Sequence, residues 1–278
     1  MKRQNVKKSF LTACEKELSY IEKREASFRT RAAKDEARWI SYLNDKIPRT
    51  ANRALRSAFL KVFTLIFEKG DAVIGKTYNA ESLSQSYTIR NCAVDIRSNR
   101  RELKRLRTKI KEKSAINTAA ASIEGIGLGV LGIGIPDIAL FLGILLRGIN
   151  ESAVGYGFDC TTQQERFFML KMIEASISKG DDHIRADEMV DALLRGETMR
   201  PPTPSELEEQ ISRTADALAA DMLLCKFVQG IPVVGIVGGV INPVYCHRVT
   251  SYVQLKYYKR YIYGKIRSTD EKTIKISN

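Results

Sequence analysis

Residues 125–146 read GIGLGVLGIGIPDIALFLGILL, and Asp137 is the only formally charged residue among them. In a chain of net charge +13, this is the stretch that cannot sit in water. Gly125, Gly127, Gly129, Gly132 and Gly134 each cost about 1 kcal/mol of helix propensity relative to alanine, while letting backbones approach closely. Such a composition specifies tight contact, either with the protein's own core or with lipid. The segment divides at Pro136 and reads as a helical hairpin. Ala119 to Gly134 forms one arm. Pro136 suits a first helical position, where its missing N–H would have no partner in any case. Asp137 then lies in the first turn of the second arm, where it complements exposed amides and the helix dipole. That arm is expected to run to about Tyr156, with Gly157 supplying the left-handed residue that ends it.

Outward from the hairpin, helical periodicity continues in both directions. From Val6, apolar residues recur at Phe10, Cys14, Leu18, Ile21, Phe28, Ala32, Trp39 and Leu43, a narrow stripe on one long charged helix. Pro48 interrupts it. Ala51 to Phe67 restarts as an apolar helix closed by Gly70, and residues 71–83 read as a connection. Residues 84–113 form a strongly basic helix with Leu103, Leu106 and Ile110 on one side. On the C-terminal side, Thr161 and Thr162 followed by Glu165 give a capping-box start for a helix through Ile177. Asp181 and Asp182 open a shorter helix ending near Gly196. GETMRPPTPSELEE is the clearest linker (about 196–204), and Ser205 with Glu208 begins the next helix, to about Val228. A second apolar segment, GIPVVGIVGGVINPVY at 230–245, offers small-residue contacts at Gly235 and Gly239. Pro243 is expected to kink the helix that continues as a tail rich in Tyr and Lys. Alternating strand patterns are lacking, so the predicted class is all-α.

Length and composition bound the rest. With 278 residues the chain has ample length for a core, and 44% hydrophobic with 28% charged residues argues against global disorder. Five scattered cysteines without CxxC spacing point to a reducing compartment rather than a disulfide framework, and two histidines make a His-rich metal site a poor reading. No metal and no cofactor is expected. The basic start MKRQNVKKSF is not followed by an apolar core, so no signal peptide is expected and the predicted location is cytoplasmic, peripheral at the inner face of the membrane. The 22-residue stretch reaches the roughly 20 residues that span a bilayer. Pro136 and Asp137 near its middle argue against a full span, because an ionised aspartate there costs on the order of 3 kcal/mol. Burial inside the domain and shallow or re-entrant insertion both remain open.

Charge is segregated along the chain. Residues 1–61 hold 16 Lys and Arg against 7 acids, residues 90–113 hold 10 against 3, and residues 247–278 hold 8 against 2. Residues 150–221 reverse the sign, with 7 against 15. Such segregation can build a basic surface that meets phosphate on lipid headgroups or nucleic acid. It can equally be a set of solvated helix faces.

Several quoted elements together resemble the EcsC protein family. The resemblance rests on the glycine-rich stretch 125–134, Asp137 opening an apolar helix, the turn Tyr156-Gly157-Phe158-Asp159, and the acidic-Arg pair Glu165-Arg166. The segment IPVVGIVGGVINPVYCHRV, with Gly235, Gly239 and Asn242, is similar to the family's I-P-x-x-G-x-x-x-G-x-x-x-N pattern. The resemblance covers roughly residues 36–264, leaving 1–35 as a charged helical extension and 265–278 as a basic polar tail. It implies an all-helical fold and membrane proximity, since the name-giving member is encoded beside an ABC transporter. It carries over no catalytic residue, cofactor or metal.

The family-motif candidates are therefore Asp137, Tyr156, Gly157, Asp159, Arg166 and Asn242. Asp137 reads as a helix cap or as a pocket carboxylate with a raised pKa. Tyr156, Gly157 and Asp159 read as a structural turn, with Asp159 capping or pairing with Arg166. Cys246 and His247 are adjacent in sequence, so they point to different sides of a helix and do not form a nucleophile–base pair. His183 reads as a surface residue. In the tail, Tyr257 and Tyr258 beside Lys259 and Arg260 read as an interfacial element or as core. Candidate lipid contacts are Gly125, Gly129, Leu131, Leu142, Gly235, Gly239, Tyr257, Tyr258, Lys259 and Arg260. The expected function is a peripheral membrane protein that docks on anionic lipid and brings the hairpin to lipid or to a membrane-protein partner. The alternatives are a soluble scaffold that pairs with a partner or with itself through the N-terminal helix, and a hydrolase of lipid or peptide using Asp137 or Asp159. Nucleic acid is disfavoured, because the basic helix comes without a helix-turn-helix, zinc-finger or RRM pattern.

Overall fold

Helix boundaries follow local chemistry. A computed structural model describes residues 2–43, 49–69, 78–120, 136–196, 200–228 and 243–277. Among these residues there are nine helices and no strand: α1 (Lys2–Leu43), α2 (Arg49–Lys69), α3 (Ala80–Arg97), α4 (Arg100–Ala120), α5 (Pro136–Gly155), α6 (Gln163–Ile177), α7 (Gly180–Arg195), α8 (Pro204–Val228) and α9 (Pro243–Ser277). Thr162 caps α6 by accepting the Glu165 N–H at 3.2 Å. Gly196, at φ +76°, ends α7, and Gly157, at φ +83°, terminates the turn after α5.

Two boundaries differ from the sequence reading. The capping box of α8 is Thr203 with Glu206, two residues upstream of the expected pair. The Thr203 hydroxyl accepts the Glu206 N–H (3.3 Å), and the Glu206 carboxylate accepts the Thr203 N–H (2.8 Å). The long basic helix is two helices. Ser98 adopts φ +46°, and Asn99 accepts the Glu102 N–H at 3.1 Å to start α4. A serine in the left-handed region carries no sequence signature comparable to glycine's.

Helix α5 packs against α2, α3, α4 and α9. Ile138, Phe141, Leu142, Leu145 and Ile149 recur at three- and four-residue spacing and are buried. Phe141 meets Phe59 of α2 and Tyr245 of α9 edge-on, with centroids at 6.1 and 5.7 Å. Residues 138–155 are long and apolar enough to cross a membrane, yet 78% of that window is covered by the rest of the protein. Helix α5, expected as the second arm of a hairpin, is thus a core helix here, and Leu142, expected as a lipid contact, is fully buried. The first arm beyond Ala120 lies outside the described residues, with Gly125, Gly129 and Leu131. So does residue range 229–242, with Gly235, Gly239 and Asn242.

The N-terminal helix is no appendage. It packs along α9, α7 and α4, and Phe10, Cys14 and Ile21 of its apolar stripe are buried in the common core. The apolar stripe is used within the chain.

Candidate functional site

The family motif builds a corner. Tyr156 is buried between Tyr258 and Tyr261, with ring centroids at 5.8 and 6.1 Å. Gly157 then turns at positive φ, and a Cβ there would run into the Tyr87 ring. Phe158 stacks on Tyr257 (5.5 Å) under the Arg260 guanidinium (4.2 Å). Asp159 accepts the Thr161 N–H (2.9 Å) and hydroxyl (2.7 Å), and these two donors hold its carboxyl below the usual range. It caps the turn, as one expectation had it. Arg166 instead donates to the Phe67 carbonyl at 3.3 Å. Asp137 stands in the first turn of α5.

The tyrosine- and lysine-rich part of α9 faces inward. Tyr257 and Tyr258 are 0% exposed and Lys259 is buried, so these three candidates for lipid contact lie away from any surface. Four tyrosine hydroxyls donate to distant partners: Tyr252 to Asp187 (2.6 Å), Tyr257 to Glu165 (2.7 Å), Tyr258 to Glu17 (2.9 Å) and Tyr261 to Asn91 (2.9 Å). Arg260, half-buried, pairs with Glu165 at 2.7 Å. A buried phenol needs such an acceptor, and α1, α3, α6 and α7 supply them.

Where α1, α7 and α9 meet, charge is concentrated. Glu25, Asp187 and Asp191 bring carboxylate oxygens within 4.8 Å of one another, close enough to hold a metal ion. Lysine ammonium groups provide the positive charge there. Lys256 Nζ lies 2.6 Å from Glu25, 2.7 Å from Asp187 and 2.7 Å from Asp191. Lys259 reaches Glu25 (2.9 Å) and Asp191 (2.6 Å), and Arg29 reaches Asp187 (3.2 Å). Three acids thus meet three cations. Burial alone would push the Asp187 carboxyl up, but Lys256 and the Tyr252 hydroxyl outweigh it and hold it at about 2. This is a closed, neutralised ionic core that joins α1, α7 and α9.

His183 belongs beside this core, not on the surface as expected. It is buried, donates from Nδ1 to the Ala175 carbonyl (2.7 Å) and packs against Tyr252. Burial lowers its pKa, so the ring is neutral. Cys246 is buried with its thiol pushed up to about 11, whereas His247 is exposed, which leaves no nucleophile–base pair.

One surface has the opposite character. On α3, Ile89, Cys92, Ala93 and Ile96 recur at helical spacing on the face opposite buried Val94. Ile89 is 71% and Ile96 77% exposed, the two most exposed large hydrophobics among the described residues. Ile89 and Ala93 line a groove of about 780 Å³ whose other wall is α4, with Arg100, Arg101, Lys104, Arg105 and Lys109. Arg100 and Arg107 turn inward to Glu17, both at 2.6 Å, and Arg105 shares Glu102 with Arg97. Arg101 and Lys104 meet no acidic partner among the described residues. The groove therefore presents surplus positive charge beside exposed isoleucine.

The sequence matches the EcsC protein family over residues 13–262. The chain belongs to that family. The match starts within α1, so most of the segment read as an extension falls inside the EcsC region, in keeping with the buried Cys14 and Ile21. No curated protein and no solved structure matches this EcsC chain. The motif residues that fall within the described part of this EcsC protein hold the corner and the α6 start together. The exposed Ile89–Ile96 stripe was missed in the sequence, although its three- and four-residue spacing was there to be read.

Proposed function

We propose that this protein is a peripheral membrane protein that docks on anionic lipid through the α3–α4 face. The exposed isoleucine pair beside the basic groove carries this reading. Isoleucine at the surface is ordinary when single, but a helical stripe of apolar residues bordered by cations is the composition of an interfacial helix. Each Lys or Arg near an anionic leaflet contributes about 1 kcal/mol, so Arg101 and Lys104 contribute about 2 kcal/mol, reduced by salt. Two isoleucines withdrawn fully from water add roughly 3–6 kcal/mol, which salt does not weaken. Together these span about 5–8 kcal/mol, whose upper end is the scale of about micromolar affinity.

Flotation of the purified protein with vesicles tests it. The protein is expected to float with phosphatidylserine-containing vesicles at low salt, to remain partly bound at high salt, and to ignore neutral phosphatidylcholine vesicles. Failure to float with anionic vesicles contradicts the reading. Displacement from vesicles by an equal phosphate concentration of duplex DNA would point to nucleic acid instead.

A further inference from the structure

A second cavity, of about 320 Å³, lies on a different side of the fold, between α6, α7 and the start of α8. Phe167, Phe168, Met189, Leu193 and Pro202 give it an apolar lining, and Met189 is left 49% exposed at its edge. Its charged residues are unequal. Glu165 is held by Arg260 at 2.7 Å, and Glu206 by Arg200 at 2.5 Å. That leaves Lys171. This lysine is 8% exposed, its ammonium sits 5.4 Å from the Phe167 ring centroid, and it has no acidic side chain within ion-pair distance among the described residues. Glu174, one turn along α6, is held by Arg213 (2.9 Å) and Gln210 (2.7 Å). A lysine with no ion pair in an apolar cavity is costly unless a ligand supplies the counter-charge. Burial lowers its pKa, outweighing the more distant attraction of Glu174 and Glu209.

We propose that this cavity binds a small amphiphilic carboxylate of the medium-chain fatty acid class, with its head on Lys171 and its chain against Phe167, Phe168, Met189 and Leu193. The cavity volume lies at the small end of ligand sites, which suits a short chain rather than a whole phospholipid. The proposal stands apart from membrane docking by α3–α4, so either can fail alone.

Calorimetric titration of the full chain with decanoate, and with decanol as the neutral control, tests it. Decanoate is expected to bind at least about tenfold more tightly than decanol, the scale of one charge-assisted hydrogen bond. Lys171→Met removes a buried charge that has no ion pair, so the variant is expected to fold with a melting temperature at or above the parent's, and to bind the two probes within about threefold of each other. Leu193→Trp fills the cavity and is expected to weaken both probes, with circular dichroism confirming the fold. Equal binding of decanoate and decanol by the parent, no binding of either, or a tenfold preference that survives Lys171→Met overturns the proposal.

Discussion

Lys256 Nζ lies 2.6 Å from Glu25 Oε1, and 231 residues of chain separate the two. The lysine is 0% exposed. This contact joins the first helix to the last, and with Asp187 and Asp191 it ties both to α7. A buried charge of this kind contributes little net stability against an apolar replacement, but removing one partner strands the others.

Lys256→Met is therefore expected to cost about 3–5 kcal/mol in urea denaturation, since three carboxylates lose their shared ammonium. Combining it with Asp187→Asn is expected to cost clearly less than the sum of the single changes, because the two groups neutralise each other. Additive costs would mean that they act independently.

Acid should destabilise the protein in two stages. The Asp187 carboxyl is lowered from its ordinary 3.8 to about 2, so its contribution is present above the unfolded value and is lost as pH falls through about 2. The His183 pKa is also lowered, by burial, and here the unfolded state binds the proton more readily. That term begins to erode stability as pH falls below its ordinary 6.5. Stability measured by urea melts across pH should decline below 6.5, and His183→Gln should flatten that first decline while leaving the lower one.

Gly157→Ala is expected to destabilise by about 1–3 kcal/mol, combining a left-handed backbone with a Cβ directed at the Tyr87 ring. Tyr87→Ala in the same background should recover part of the loss, which thermal melts of the four proteins would show. No recovery would assign the cost to the backbone alone.

Ile89→Ser with Ile96→Ser is expected to leave stability within about 0.5 kcal/mol, because both side chains are exposed. Vesicle binding should persist at low salt and vanish at high salt. Arg101→Glu with Lys104→Glu should instead weaken binding at low salt.

The sequence announces whatever local chemistry decides. Pro136, Thr162, Gly157 and Gly196 mark helix ends because each is suited to its backbone position. The break at Ser98 has no such marker. Nor does the inward orientation of α9, since Tyr257, Tyr258, Lys256 and Lys259 owe their burial to Glu165, Glu17, Glu25 and Asp191, all 65 or more residues away. A Tyr- and Lys-rich helix reads alike at a membrane interface and in a core furnished with carboxylates. His183 was misread for a different reason: its acceptor is a backbone carbonyl, which carries no side-chain signature. The α3 stripe is visible in the sequence, but its exposure follows from which side of α3 meets α5.

Cys92 lies in that stripe between Ile89 and Ile96 and is exposed. With Cys160 and Cys225 replaced by serine, an environment-sensitive dye on Cys92 reports directly on the face. The account predicts a blue shift with anionic vesicles that persists as salt is raised, and no shift with neutral vesicles. Unchanged emission from protein that floats with the same anionic vesicles would place the docking surface elsewhere and contradict the account.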